Sequence, residues 1–439
     1  MENRMRPRAA VQTLGCRVNQ YESDAIEAEL EAMGFEIADP EQVCDVYIVN
    51  TCAVTGESER KSRQMIRRAA AKNPSAFVLV TGCFSQLKAE EISQIPGVDY
   101  VCGSRNKGSA AVMAARLVRE GRKGGSPVCC VPNIAKMPLE RLVVPAARRT
   151  RAYIKIEDGC DNHCTYCIIR KARGAVVSRP PEEVLDEVRK MAADGVSEVI
   201  LTGIETASYG RDLGGYPLWR LLRDAAEVDG IERVRTGSLE PTVLTREFCD
   251  RIAGEARIMP SFHLSLQSGS DRILAAMKRR YNSGQVLDHA AYLKSVKSGT
   301  TFTCDIIVGF PGETEEDFLA TMALAEKIGF LHMHIFPFSP RAGTPAAEME
   351  GQLAESVKKE RLHRLEALEE RLSRRIYQGT VGGRRRVLFE TWDGEYAAGH
   401  SEDMLEVRMK SAAPLAGKLL PVELAAFDGT AALAVPLSS

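Results

Sequence analysis

Three closely spaced cysteines limit the possible structure of this chain more than any other feature of its sequence. Cys160, Cys164 and Cys167 form a C-x3-C-x2-C pattern directly after a predicted strand at residues 152–157. Three thiolates at this spacing can hold three irons of a [4Fe–4S] cube and leave the fourth iron open. S-adenosylmethionine can bind that iron through its amino and carboxylate groups, and an electron from the cluster can cleave its sulfonium to a radical.

A structural zinc ion is the alternative occupant of the same pattern. Structural zinc sites are closed by four ligands, and the nearby candidate His163 lies inside the loop at poor spacing. The aromatic Tyr166 before the last cysteine also favours the cluster. We therefore predict Cys160, Cys164 and Cys167 as catalytic ligands of a cluster that binds S-adenosylmethionine.

A second set of cysteines recurs at the ends of predicted strands. Cys16, Cys52 and Cys83 each follow a strand, about one strand–helix–strand unit apart. Because parallel strands share one carboxyl edge, the three thiols are expected to meet there and to suit an auxiliary [4Fe–4S] cluster. Any one of them alone would be interpreted as a small buried apolar residue. The other six cysteines are assigned to packing and loops: Cys44, Cys102, Cys129, Cys130, Cys249 and Cys304.

Strands alternate with helices over most of the chain, which predicts an α/β multidomain protein with parallel sheets. Residues 1–135 are predicted to form an N-terminal parallel α/β domain with the auxiliary cluster, and 146–375 a partial (β/α)6 barrel. Short β-like runs over 376–439 predict a small β-barrel.

Composition favours a soluble, cytoplasmic protein. Hydrophobic residues make up 44% of the chain and charged residues 27%, and no stretch is apolar enough to cross a membrane. The first residues lack the apolar segment of a secretory signal. The net charge is −1, so contact with a polyanion needs local basic patches such as residues 141–179. A solvated basic face beside a linker is the alternative interpretation.

Five motifs together resemble the radical-SAM methylthiotransferase family over nearly the whole chain. They lie at residues 13–20, 159–167, 263–269, 305–313 and 336–345. The resemblance implies a domain with an auxiliary cluster, a radical-SAM domain and a C-terminal TRAM β-barrel that binds RNA. It matches the first three cysteines (Cys16, Cys52, Cys83) to the auxiliary ligands and the second three (Cys160, Cys164, Cys167) to the cluster that binds S-adenosylmethionine.

Within this family, the motif from Thr13 to Asn19 is similar to the branch that acts on N6-threonylcarbamoyladenosine at position 37 of tRNA. The expected reaction is methylthiolation of C2 of that base, with tRNA and a low-potential electron donor as partners. Sister branches, which modify isopentenyladenosine in tRNA or a ribosomal protein, are the alternatives, together with a non-catalytic iron–sulfur RNA-binding protein. A cobalamin enzyme is disfavoured because the N-terminal region has no Asp-x-His-x-x-Gly signature.

Four residues near the carboxyl ends of predicted barrel strands are predicted to bind S-adenosylmethionine. Glu205 corresponds in the family to the segment that holds the amino group of the cofactor. Ser238 and Glu240 are candidates for hydrogen bonds to the ribose, and Gln267 ends the next strand. Solvated loop residues are the alternative interpretation for the last three.

Two smaller features also lead to expectations. The basic run 170–173 follows the cysteine loop and is expected to contact RNA. His332 and His334 alternate along one strand and are interpreted as a packed core pair rather than as ligands.

Overall fold

A computed structural model describes residues 6–121, 125–142, 144 and 150–437. Its contacts divide the chain into two compact units. The first comprises Met1–Pro145, Lys155–Arg179 and Ser339–Ala347, and the second Ala146–Ile154, Pro180–Phe338 and Glu348–Ser439. The predicted domain limits at residues 1, 146 and 439 lie outside the described residues, and the three predicted domain ranges stay a prediction.

The first unit is built on a six-stranded sheet in which every pairing is parallel. Its strands are β1 (Arg8–Thr13), β2 (Glu36–Ile37), β3 (Val46–Thr51), β4 (Phe77–Gly82), β5 (Val98–Cys102) and β6 (Val128–Cys130). Their spatial order is β2-β1-β3-β4-β5-β6. The helices between them are α1 (Arg17–Ala32), α2 (Gly56–Lys72), α3 (Cys83–Leu87), α4 (Ala89–Ser93) and α5 (Gly108–Glu120).

The central strands of this sheet are apolar on both faces, as expected for a parallel sheet covered by helices. All residues of β3 and β4 are buried. Because side chains alternate along a strand, Tyr47 and Val49 pack in one apolar cluster and Val46 and Ile48 in another. The aligned register brings the carboxyl ends of β1, β3 and β4 to one edge.

A later segment of the chain also belongs to the first unit. After β7 (Arg151–Lys155) come β8 (Glu157–Asp158), α6 (Ile169–Arg173) and β9 (Val177–Ser178), and β8 pairs antiparallel with β9. Gly159 follows β8 with φ +92°, and a Cβ there would lie 2.0 Å from the carbonyl oxygen of Ala175. Only glycine allows this close approach, which shapes the loop from Cys160 to Cys167.

The second unit contains the alternating strands and helices predicted for the centre of the chain. Its helices are α7 (Pro181–Ala193), α8 (Leu218–Ala226), α9 (Arg246–Ala253), α10 (Asp271–Ala276), α11 (Ser283–Val296) and α12 (Glu315–Ile328). Its strands after β7 are β10 (Glu198–Thr202), β11 (Arg233–Thr236), β12 (Ser238–Leu239), β13 (Ser261–Gln267), β14 (Thr301–Val308) and β15 (Phe330–Pro337). They form two sheets, β11-β10-β7 and β12-β13-β14-β15. All six predicted barrel strands are present, and β12 is an addition of two residues.

The chain ends in a long helix and a closed barrel. Helix α13 (Glu355–Thr380) buries Leu365, Leu368 and Leu372 at helical spacing. The barrel strands are β16 (Arg384–Trp392), β17 (Tyr396–Ser401), β18 (Glu406–Lys410), β19 (Leu419–Phe427) and β20 (Ala432–Pro436), in the order β16-β17-β18-β20-β19. Closure leaves the barrel without a free strand edge. None of the described helices is long and apolar enough to cross a membrane.

Candidate iron–sulfur and cofactor sites

Cys16, Cys52 and Cys83 lie at the carboxyl edge of the six-stranded sheet. Cys16 directly precedes α1, Cys52 directly follows β3, and Cys83 is the first residue of α3. Asn19 donates hydrogen bonds to the carbonyl oxygens of Leu14 at 2.7 Å and of Thr51 at 3.2 Å, which joins the ends of β1 and β3. The structure thus places the three cysteines on the same edge, as their spacing predicted.

The three thiols are close enough to influence one another. Burial, followed by the charge of Cys83 and then of Cys16, raises the pKa of Cys52 to about 11. Burial also raises the pKa of Cys16. The positive charge of Arg173 opposes this rise, and the charge of Cys83 adds to it. A ligand that stabilises the thiolate form is therefore needed to ionise Cys16 and Cys52 near neutral pH.

The space beside the Cys52 thiol is kept open by a glycine. Gly15 has φ +116°, and a Cβ at this position would lie 3.0 Å from Sγ of Cys52. Among the described residues, no group of three or more His, Cys, Asp or Glu is arranged to hold a metal ion. An iron–sulfur cluster binds each thiolate through a different iron, whereas a zinc ion draws all its ligands onto one centre. Three soft thiols on one sheet edge are the donor type that such a cluster takes.

A second glycine allows the end of β4 to pack closely against the backbone of Thr51, the residue before Cys52. Gly82 has φ +108° and ψ −164°, and an added Cβ would lie 2.3 Å from the carbonyl oxygen of Thr51. We expect Gly82→Ala to lower the free energy of unfolding of the first unit by roughly 2–5 kcal/mol, because strain and collision add. Chemical denaturation of the apoprotein followed by circular dichroism measures the loss.

Gly121 provides the matched control for Gly82. It also has a positive φ, +65°, but an added Cβ meets nothing within 4 Å. Gly121→Ala is therefore expected to lose only about 1–2 kcal/mol, from backbone strain alone. Equal losses at the two positions would contradict the collision that we infer at Gly82.

A buried ion-pair network lies beside these cysteines and was not predicted from the sequence. Glu22, on α1, pairs with Lys107, with Lys155 at 2.7 Å and with Arg173 at 2.6 Å. Asp158 pairs with Lys155 at 2.7 Å and with Arg173 at 3.2 Å. Burial opposes ionisation of Glu22, but the charges of Arg173, Lys107 and Lys155 outweigh it and hold its pKa well below the usual range.

For Arg173, the expectation that the basic run 170–173 contacts RNA is wrong, whereas for Arg170 and Lys171 it stays a prediction. The side chain of Arg173 is fully buried, and its Nε donates a hydrogen bond to Sγ of Cys83 at 3.2 Å. Arg173 is buried because two carboxylates and a thiol compensate its charge, and a linear pattern of basic residues does not reveal such partners. The feature of the sequence that could have indicated the contact with Cys83 is the position of Arg173, shortly after Cys167.

The loop of Cys160, Cys164 and Cys167 is held by its own backbone. Cys160 N–H donates to the carbonyl oxygen of Gly174 at 3.0 Å, and Cys167 N–H donates to that of Cys164 at 3.1 Å. The Sγ of Cys167 accepts a hydrogen bond from the backbone N–H of Ile169 at 3.5 Å. Of the three, Cys164 is buried, Cys160 half-buried and Cys167 exposed.

His163, the residue considered as a fourth zinc ligand, points to another partner. Its Nδ1 lies 3.0 Å from a guanidinium nitrogen of Arg170. The imidazole of His163 therefore faces the guanidinium of Arg170 in this structure.

The structure brings together two of the four residues predicted to bind S-adenosylmethionine. Glu205 lies just after β10, where Ser208 donates to its carboxylate, and Glu240 lies just after β12, where Arg279 pairs with it at 3.3 Å. Burial, followed by the nearby charge of Glu240, raises the pKa of Glu205 to about 8. The two carboxyl groups are therefore close enough to interact, although β10 and β12 belong to different sheets.

The other two predicted residues have different surroundings. Ser238 is the first residue of β12 and is exposed. Gln267 ends β13, is buried, and has φ +68° at an irregularity in the register with β14. A non-glycine residue in this backbone region is uncommon and is often found at functional positions.

The raised pKa of Glu205 predicts a pH-dependent stability. In the folded chain this carboxyl group keeps its proton up to about pH 8, whereas in the unfolded chain it loses the proton near pH 4.5. The free energy of unfolding therefore falls as pH rises from about 4.5 to 8. Glu205→Gln cannot ionise, so this variant should gain in unfolding temperature over the wild type between pH 5 and 9. The exposed Glu227 gives the control variant Glu227→Gln, which should show no such trend. Parallel curves for Glu205→Gln and wild type would contradict the shift.

The interpretation of His332 and His334 as a packed core pair is wrong. Both are exposed on β15, with ring centroids 4.5 Å apart, and His332 pairs with Glu369 of α13. Leu331 and Met333 occupy the buried face of the same strand. Alternation correctly placed the two histidines on one face but could not decide which face was buried.

Two family models match the chain. The Radical SAM superfamily model matches residues 154–325, which include the loop from Cys160 to Cys167. The uncharacterized protein family UPF0004 matches residues 8–103, which include Cys16, Cys52 and Cys83.

Relatives of known name extend over nearly the full length. The threonylcarbamoyladenosine tRNA methylthiotransferase MtaB of Bacillus subtilis (strain 168) is 39% identical over 94% of this chain and 93% of its own. The chain belongs to the radical-SAM tRNA methylthiotransferases. The MtaB protein of Thermotoga maritima is 39% identical over 87% of this chain and 86% of its own. The tRNA-2-methylthio-N(6)-dimethylallyladenosine synthase of Pelotomaculum thermopropionicum is 36% identical over 93% of each chain.

Membership in the methylthiotransferase family confirms that the protein is an enzyme of this class. Its radical-SAM chemistry uses a [4Fe–4S] cluster and S-adenosylmethionine. Among solved structures, the radical S-adenosylmethionine methyltransferase TsrM of Kitasatospora setae matches with a TM-score of 0.58 and 18% identity, over 78% of this chain and 77% of that one. This likeness concerns the fold alone. Together with the closed C-terminal barrel, it confirms the predicted fold class.

Proposed function

We propose that the enzyme methylthiolates C2 of N6-threonylcarbamoyladenosine at position 37 of tRNA. The observation that supports this substrate best is the 39% identity, over almost the whole chain, to an enzyme named for it. The dimethylallyladenosine synthase is 36% identical over a similar span, so isopentenyladenosine tRNA is the second candidate. The motif from Thr13 to Asn19 at the end of β1 favours the first.

We also propose two clusters in the same chain. Cys160, Cys164 and Cys167 are assigned to the cluster that supplies the electron for cleavage of S-adenosylmethionine, and Cys16, Cys52 and Cys83 to an auxiliary [4Fe–4S] cluster. Support for the second comes from the shared sheet edge and from the space that Gly15 leaves beside Cys52.

The remaining parts of the chain have proposed roles as well. Glu205, Ser238, Glu240 and Gln267 are assigned to S-adenosylmethionine, because they lie at or beside the ends of β10, β12 and β13. The barrel within 376–439 is assigned to RNA binding, and 1–135 and 146–375 to the auxiliary-cluster and radical-SAM domains. A low-potential electron donor and a cytoplasmic location complete the proposal.

A comparison of two tRNA substrates tests the proposed substrate. The enzyme is reconstituted anaerobically with iron and sulfide and incubated with S-adenosylmethionine, dithionite, and tRNA that carries either threonylcarbamoyladenosine or isopentenyladenosine. Mass spectrometry of the nucleosides is expected to show a methylthio adduct on the first only. An adduct on isopentenyladenosine alone would assign the enzyme to the sister branch. Formation of 5′-deoxyadenosine without either adduct would reject both substrates and retain the radical-SAM assignment.

A further inference from the structure

We propose that Arg173 is a positioning residue that donates a hydrogen bond to Cys83 and thereby raises the reduction potential of the auxiliary cluster. The inference rests on the proposed function in one respect, which is that Cys16, Cys52 and Cys83 are the cluster ligands. The contact itself is direct, since Nε of Arg173 lies 3.2 Å from Sγ of Cys83 and both residues are buried.

The guanidinium of Arg173 has a fixed orientation. One terminal nitrogen donates to Glu22 at 2.6 Å, and the other donates to Asn19 at 2.6 Å. Asp158 accepts a further, longer hydrogen bond at 3.2 Å. Because the guanidinium is planar and its donors form a rigid fork, these contacts leave Nε–H aimed at the sulfur. The network of Glu22 and Asp158 thus fixes the direction of a single donor.

A hydrogen bond to a ligand sulfur has a known effect on an iron–sulfur cluster. It stabilises negative charge on the sulfur, and the reduced cluster carries one more negative charge than the oxidised one. Donors to the sulfurs therefore shift the reduction potential upward, as do other contacts around a metal site. The buried position of Arg173 strengthens this effect because little water screens its charge.

The position of Arg173 in the chain links the two sets of cysteines. It ends α6, the helix that begins two residues after Cys167, and its side chain reaches the residue after β4. The loop that holds the first cluster and a ligand of the second are therefore connected through one side chain within the first unit. A purely structural role would be to neutralise Glu22 and Asp158, which would not require a contact with sulfur.

Arg105 offers a matched control for the structural role. It is also buried in the first unit and lies 3.9 Å from Asp158. Its hydrogen bonds go to the carbonyl oxygens of Met137, Asp158 and Ala175 rather than to a sulfur. Arg105→Met therefore disturbs the same network but leaves the donor to Cys83 in place.

The test uses full-length protein in which only the auxiliary set can bind iron. In a background of Cys160→Ala, Cys164→Ala and Cys167→Ala, each variant is reconstituted, assayed for iron, and titrated with dithionite while paramagnetic resonance follows the reduced cluster. We expect Arg173→Lys, which keeps the positive charge, to bind the same iron as the background but to show a more negative midpoint potential. Arg105→Met should keep the midpoint of the background. Arg173→Met should also lose its iron to a chelator several times faster.

The possible outcomes separate this inference from the proposed function. Unchanged midpoint potential in Arg173→Lys, with full iron content, overturns the inference and leaves the auxiliary site intact. An equal shift in Arg105→Met and Arg173→Lys also overturns it, because the network rather than the sulfur contact would then set the potential. A background protein that binds no iron overturns the auxiliary site itself and the inference with it. If Arg173→Met does not fold, Arg173→Lys alone decides.

Discussion

Cys52→Ala is expected to cleave S-adenosylmethionine and to form no methylthio product. Cys52 lies at the sheet edge with Cys16 and Cys83, whereas the loop from Cys160 to Cys167 is a separate segment that the substitution leaves intact. If the auxiliary cluster takes part in transfer of the methylthio group, its loss stops product formation after the radical is generated. Chromatography of 5′-deoxyadenosine and mass spectrometry of the nucleosides measure the two steps in one reaction.

Two further variants make this result specific. Cys102→Ala removes another buried thiol from the same sheet, on β5, and should retain product formation. Cys164→Ala should lose both 5′-deoxyadenosine and product, because it removes a proposed ligand of the cluster that binds S-adenosylmethionine. Normal turnover by Cys52→Ala would reject the scheme with two clusters.

Glu22→Gln is expected to destabilise the first unit by about 3–5 kcal/mol. Glu22 accepts hydrogen bonds from Lys107, Lys155 and Arg173, and all four side chains are buried. Removal of the carboxylate charge leaves three cations without their shared partner in a region of low dielectric constant. Hydrogen exchange of the β3 and β4 amides, followed by mass spectrometry, measures the loss of stability.

An exposed ion pair provides the control for Glu22. Glu57 pairs with Arg60 at 2.5 Å on the surface of α2, and surface pairs contribute little because water and salt screen them. Glu57→Gln should therefore leave the exchange of β3 and β4 unchanged. A Glu22→Gln variant as stable as Glu57→Gln would show that other groups compensate the buried cations.

The stabilising effect of Glu22 also has a pH dependence of defined sign. Its pKa in the fold is lower than in the unfolded chain, because the three cations outweigh burial. Stability from this group is complete above the ordinary carboxyl pKa, ~4.3, and is lost as pH falls further. Glu22→Gln should remove this part of the acid sensitivity of the first unit.

Local sequence patterns were sufficient to predict the barrel strands and to place one set of cysteines at a sheet edge. The period of two in strands and of 3.6 in helices is a property of neighbouring residues, and the predicted barrel strands all form. The placement of Cys16, Cys52 and Cys83 followed from one rule, that parallel strands end at a common edge. The cysteine loop required only its own spacing and the strand before it.

Side-chain partners that are distant in sequence were decided only by the tertiary structure. Glu22 and Arg173 are separated by 151 positions and Glu22 and Lys107 by 85, yet they share one buried network. No local pattern distinguishes the buried Arg173 from the exposed Lys171 two positions before it. The difference arises because folding places carboxylates and a thiol around Arg173, whereas Lys171 stays exposed and donates to the carbonyl oxygen of Gly343.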